Sequence, residues 1–348
     1  MTAQIERLRR DCAVAGKLWN RTFSGLLFST LRAHGPSMLD RLWAALLRSH
    51  QYKYYVASLE KLGIAEDPPA VAAAKYHYFS NALGGLGMEY VEESPKKVWI
   101  RYLAPAWTYP GTALHALPLG VRRTVFSTWH PRNGELMGCL RLGWVCTKLI
   151  DEGEPYDEGF FIEHDRDLAE YERVRFEVHE TTPEYDPAKA PKLDEALWPE
   201  GRLLKANRNY AGDYVRDTID QLYALIGQHP AHAIVAHAMR ALAAQYVHEL
   251  AADLAIADRS VEGIARLQAE LLHVTAQAPE LVQVTPKAWQ IRIGGVKPFL
   301  SASEELRRAS FEFQVMGARV LNGRVRASRE RVAAGEVWTF EDAGRWLW

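Results

Sequence analysis

Three cysteines stand in the 348 residues: Cys12, Cys139 and Cys146. So small and odd a number gives no disulfide framework, and a reducing compartment fits. No C-x-x-C spacing marks a structural zinc site, and no fourth ligand accompanies a set of His130, Cys139 and Cys146. No apolar run approaches the roughly 18 to 20 residues that a membrane span needs. Residues 1–31 are interrupted by Arg7, Arg9, Arg10, Asp11, Lys17 and Arg21, so they do not read as a signal peptide. Neither sign of charge is in excess, with 42 Lys plus Arg against 43 Asp plus Glu. That balance argues against a general nucleic-acid binder. The glycine run Gly84-Gly85-Leu86-Gly87 ends a helical pattern instead of following a strand, so it is not a dinucleotide-binding turn. Together these absences lead to an expectation of a soluble, cytoplasmic protein with neither a nucleic-acid nor a membrane partner.

What is present is apolar and aromatic. Hydrophobic residues make up 48% of the chain, and the eleven tryptophans suit large cores or aromatic pocket walls. The length suffices for two domains. Apolar residues at helical spacing predict helices over residues 5–33, 37–62 and 70–83, the second capped by Ser37 and closed by Gly63. Further helices are expected over 119–130, 203–226, 231–255, 261–276 and 302–321. Strands are expected over 144–149 and 159–163. A closing hairpin is expected over 323–332 and 336–340.

Two strand regions organise the chain. Residues 90–101 (YVEESPKKVWIR) alternate in the period-2 manner of a pleated segment, and residues 281–292 (LVQVTPKAWQIR) repeat Val, Pro, Lys, Ile and Arg at matching positions. The surroundings correspond as well. Residues 121–126 (VRRTVF) parallel 306–311 (LRRASF), and Gly153-Glu154 parallels Gly335-Glu336. The expected fold is therefore α+β: two similar domains, each with helices packed on a small antiparallel sheet. Residues 1–165 form the first. Residues 166–202, charged and proline-bearing, are a linker or lid. Residues 203–348 form a second, degenerate copy.

This order of elements resembles the superfamily that groups 4-vinyl-reductase-type domains, haem nitric-oxide-binding domains, TRAPP trafficking subunits and L-2-amino-thiazoline-4-carboxylate hydrolase-like proteins. Val145-Cys146-Thr147 through Gly153-Glu154-Pro155-Tyr156-Asp157-Glu158-Gly159-Phe160 is similar to the family's strand, Gly-Asp turn and Cys-x-Phe strand. Glu154 stands where the acid is usually Asp, and no cysteine stands beside Phe160, so a metal or thiol role of that cysteine is lost. The resemblance implies a fold that encloses a small ligand between helices and sheet. It does not choose among sensing, scaffolding and catalysis.

The residue patterns offer candidates for chemistry. His77 and Asn81 share a helix face, and Glu89 lies just beyond the glycine run. They could bind and protonate a polar ligand, or His77 could be a hydrogen-bonded core residue. His130 and Asn133 precede Cys146, which could be an activated nucleophile or a small buried hydrophobe. Arg101 or Arg141 could hold a substrate carboxylate, with Trp99 as a pocket wall. Glu163 and Asp165 alternate onto one face, most simply as a solvated strand end. The apolar end Trp346-Leu347-Trp348 is expected to dock on the core or on another subunit. The reading favours an enzyme of small-molecule catabolism, a hydrolase of a ring or amide-like bond. Catalysis would fall to His77, Glu89, His130 and Cys146, and substrate binding to Asn81, Trp99, Arg101, Asn133 and Arg141. No metal is assigned, the cofactor is unknown and a homodimer is compatible. The alternative is a sensor or scaffold that binds a small ligand without turnover.

Overall fold

The computed structural model describes residues 2–105, 116–177 and 183–347. The loop expected at Pro110 and Gly111, part of the connector at Thr181 and Thr182, and Trp348 lie outside them. In chain order the elements are α1 (Thr2–His34), α2 (Pro36–Leu62), α3 (Pro69–Leu83), β1 (Met88–Ser94), β2 (Lys97–Leu103), α4 (Val121–Trp129), α5 (Pro131–Leu136), β3 (Leu142–Lys148), β4 (Tyr156–Glu163), β5 (Val174–Phe176), α6 (Glu200–Ile226), α7 (Gln228–Asp253), α8 (Val261–Val274), β6 (Glu280–Thr285), β7 (Ala288–Ile293), α9 (Glu304–Leu321), β8 (Val325–Val332) and β9 (Gly335–Asp342). The class is α+β, as the alternation of helical and pleated periods requires. No described helix is long and apolar enough to cross a membrane.

The chain divides into two compact units: residues 1–33 with 204–348, and residues 34–203. The first is called the split unit and the second the continuous unit. The sequence grouped α1 with residues 34–165, whereas α1 packs with the C-terminal half. Periodicity shows that a helix has an apolar face, not which partner covers it. Here Leu26 and Leu27 are fully buried, and the Phe23 ring meets Tyr214 of α6 at 5.4 Å. Lys17 bridges Glu249 and Asp253 of α7, while Arg21 grips Glu249 through two nitrogens at 2.9 and 3.1 Å. Residues 166–203 fall within the continuous unit. Val174–Phe176 runs parallel to β3, and the Trp198 indole donates to the Lys61 carbonyl at 3.1 Å.

Helix ends follow backbone chemistry. Gly63 takes the left-handed conformation at φ 73° and closes α2, as expected. The start of α2 differs: Gly35, at φ 80°, precedes Pro36 at the first helical position, so Ser37 lies inside the first turn instead of capping it. Likewise α7 begins at Gln228 and accommodates Pro230 in its first turn, where no intrahelical N–H bond is lost.

The sheets have the orders β1-β2-β4-β3-β5 and β6-β7-β9-β8. Apart from β5 the two orders correspond strand for strand. The hairpins correspond in register as well. Tyr90 pairs with Ile100 and Leu281 with Ile291, and each first strand carries an irregularity just before its turn, at 92/94 and at 283/285. Across each hairpin an acid faces an arginine: Glu89 and Arg101 at 2.5 Å, Glu280 and Arg292 at 3.7 Å. The helix after each hairpin anchors an arginine on an acid near the start of the last strand: Arg122 on Asp157 at 2.6 Å and Arg307 on Glu336 at 2.5 Å.

Gly159 in β4 is set by packing. A Cβ there would lie 2.3 Å from the Val145 carbonyl oxygen and 2.5 Å from the Trp144 ring. The missing side chain lets the Trp144 indole lie flat across the sheet toward the helices. Trp346, at the other end of the chain, is 67% exposed and so does not dock on the core of its own chain.

Candidate functional site

In the continuous unit three helices and the sheet bring some of the predicted residues together. His77 of α3, His130 at the α4–α5 junction and Asn133 of α5 meet in the core, joined by Tyr102 of β2 and Gln51 of α2. Gln51 Nε2 donates to the Trp129 carbonyl at 2.9 Å and to Asn133 Oδ1 at 2.8 Å. Asn133 Nδ2 donates in turn to His77 Nε2 at 2.7 Å, which fixes that nitrogen as the unprotonated one. His130 Nε2 shares a 2.9 Å hydrogen bond with the Tyr102 hydroxyl, and its Nδ1 has no partner among the described residues. Phe126, Trp144 and Phe161 pack on the His130 ring.

Burial sets the charge state of this pair. It lowers His77 to about 3. His130 is held well below the usual histidine range, first by burial and then by His77 and Arg122. Both rings are neutral at physiological pH.

The remaining predicted residues lie elsewhere. Glu89 and Arg101 belong to a charged row across the sheet face opposite Tyr102. Arg101 donates to Glu158 and Glu89 at 2.5 Å each and to the Pro183 carbonyl at 2.6 Å, so all three of its nitrogens are engaged. Glu158, fully buried, also accepts from Thr147 and pairs with Lys148 at 3.3 Å. Two acids thus balance two bases. Trp99 is buried on the same face, its indole donating to Glu93 and its ring against Phe160. The Asn81 amide donates to the His77 carbonyl one turn back. Arg141 pairs with Glu163 at 2.7 Å with half of its side chain in solvent. The thiol of Cys146 is buried, points at the Lys148 carbonyl at 3.7 Å and has its pKa raised, chiefly by burial. Among the described residues no group of three or more His, Cys, Asp or Glu is arranged to hold a metal ion.

The split unit contains a cavity that the sequence reading missed. Leu18 and Trp19 of α1, Met239 and Leu242 of α7, Leu271 of α8 and Phe313 of α9 supply most of its apolar wall. It holds about 500 Å³ of unfilled space, its open mouth included. Its wall also contains Gln268, 1% exposed, whose Oε1 and Nε2 both lack a hydrogen-bond partner among the described residues. Gln314 of α9 is a second amide in the wall, half-buried, while several other polar wall groups are engaged. Thr22 donates to the Leu18 carbonyl, Thr275 to those of Leu271 and Leu272, and Ser310 to that of Arg307. The Trp338 indole donates to Glu336 at 2.9 Å. Gln268 was visible in the sequence: Ile264, Gln268, Leu271 and Thr275 follow spacings of four, three and four, which puts an amide on an apolar stripe.

Comparison of the chain with protein-family models, with curated proteins and with solved structures finds no match.

Proposed function

We propose that the protein binds one small organic molecule in the cavity of the split unit and holds it without converting it. The observation that carries this reading is Gln268. A buried amide with neither group hydrogen-bonded costs about 1–3 kcal/mol for each orphaned group, a cost a bound partner removes. A largely apolar wall with a few polar groups, the buried Gln268 amide among them, has the make-up of a small-molecule site. The reading agrees with what the resemblance implies, a ligand enclosed between helices and sheet.

A hydrolase acting through His77, His130, Glu89 or Cys146 is the less supported reading. His77 and His130 are neutral, stacked and enclosed by aromatic rings. Glu89 is bound to Arg101, and the wall of the cavity carries no ionisable side chain. General acid–base work needs a titrating group within reach of the substrate.

The test is native mass spectrometry of protein purified from its source, joined to a thermal-shift screen of small neutral organic molecules. A retained molecule, or stabilising ligands that lose their effect in Leu242→Trp, is the expected outcome. Ligands that stabilise Leu242→Trp as strongly as the natural chain would place binding elsewhere and end the proposal.

A further inference from the structure

Resting on that reading, we infer that the ligand is a neutral, compact, largely apolar molecule with a hydrogen-bond donor and acceptor side by side, pairing with the Gln268 amide. Carboxamides, lactams and undissociated carboxylic acids share this edge.

Three observations fix the class. First, Gln268 offers an acceptor oxygen and a donor nitrogen in one plane, and neither is bonded. A group that only accepts or only donates would leave one of the two unsatisfied, whereas a paired edge satisfies both. The hydroxyls of Thr22, Thr275 and Ser310 all donate to backbone carbonyls, and the Trp338 indole to Glu336. Of the buried polar wall groups, Gln268 alone keeps both its donor and its acceptor available; the wall's other amide, Gln314, is half-buried. Second, no side chain lining the cavity is charged. Glu336, beneath Trp338, is neutralised by Arg307 and Arg329. A charged ligand would enter without a counter-charge and lose its hydration, which costs several kcal/mol or more. Third, the open volume is small. About 500 Å³ with the mouth counted lies in the lower part of the roughly 300–1,000 Å³ of small-molecule sites, so the occupant is compact, on the order of one ring.

Gln268 acts here as the selecting residue, and the aliphatic and aromatic wall supplies affinity. Benzamide, acetophenone and toluene probe this directly, being similar in size and differing in the edge they present. Isothermal titration calorimetry would measure each against the natural chain and against Gln268→Met, a near-isosteric change that keeps the wall apolar and removes the amide. Benzamide is expected to bind about tenfold more tightly than acetophenone or toluene, as one to two net hydrogen bonds imply. Gln268→Met should abolish that preference while toluene still binds. Equal binding of all three probes to both proteins would overturn the inference and leave the cavity reading standing, the amide then being served by an ordered water. A preference for benzamide that persists in Gln268→Met would likewise overturn it. Failure of every probe to bind would remove both the inference and the reading beneath it. If Gln268→Met does not fold, Gln268→Leu serves as the second variant with the same expectations.

Discussion

The imidazole rings of His77 and His130 lie face to face, 4.3 Å between centroids and 10° between planes. Two charged imidazoles could not be held so, and burial already holds both rings neutral. The consequence for stability has a definite sign. Above pH about 6.5 a histidine is neutral folded or unfolded and contributes no pH dependence. As pH falls from there toward about 3, where His77 titrates in the fold, the unfolded chain binds the proton first and stability falls. Each such histidine adds a slope of up to about 1.4 kcal/mol per pH unit. Urea denaturation at intervals from pH 7 to 4.5 should show stability declining through this window. His77→Gln, which keeps an acceptor for Asn133, should remove about half of the decline. An unchanged slope would mean that His77 is not a buried neutral base.

Gln268 makes a prediction about the ligand-free protein. Replacing a buried amide that has no partners by an apolar group of similar shape is near neutral or stabilising, because it removes a desolvation cost without removing a bond. Gln268→Met should therefore raise the thermal midpoint of ligand-free protein or leave it unchanged, a gain of about 1–2 kcal/mol being the upper expectation. A loss of more than about 1 kcal/mol would show that the amide already has partners in the folded chain.

The sequence displayed the two hairpins, the glycine that closes α2 and the helical stretches, because all are set by local periods and backbone conformations. It could not display that α1 packs with residues 204–348, since Lys17 and Arg21 find Glu249 across more than two hundred residues. The candidate site divides the same way. His77, His130 and Asn133 do converge, but a list of polar side chains does not show that Trp144, Phe126 and Phe161 seal them from solvent. Glu89 and Arg101 read as separate candidates because their cross-strand pairing depends on register. Gln268 stood on the apolar face of α8 in plain view. A neutral amide there has no charge or ligand spacing to set it apart from a satisfied helix residue, and its lack of partners depends on packing with α1, α7 and α9.

Gly159 should not tolerate a side chain. The added Cβ would meet a backbone oxygen at 2.3 Å and the Trp144 ring at 2.5 Å, and a central strand cannot move away from its neighbour without breaking the ladder. Gly159→Ala is expected to destabilise by about 2 kcal/mol or more, read as a lower thermal midpoint. Gly294→Ala, where nothing lies within 4 Å, is the control and should be near neutral. Equal effects of the two would mean that β4 and β3 can separate freely.

Arg122 and Arg307, each paired with a buried acid, should differ in weight. Arg122 grips Asp157 Oδ2 through two nitrogens at 2.9 and 2.6 Å, and Asp157 is 1% exposed, its other oxygen accepting only from the Ile150 amide among the described residues. Arg122→Met strands a buried carboxylate and should cost about 3–5 kcal/mol. Asp157→Asn in the same chain should restore part of that loss, because the neutral amide no longer needs a counter-charge. Glu336 is better provided for. Burial pushes its carboxyl up, but hydrogen bonds from Arg329, Trp338 and Arg307 outweigh burial and hold it at about 2. Arg307→Met leaves Arg329 at 2.8 Å and the Trp338 indole at 2.9 Å on the carboxylate, so its cost should be smaller. The measurement is urea denaturation of both single variants and of the Arg122→Met, Asp157→Asn double variant. An Arg307→Met loss as large as that of Arg122→Met would show that the remaining partners of Glu336 do not compensate its charge.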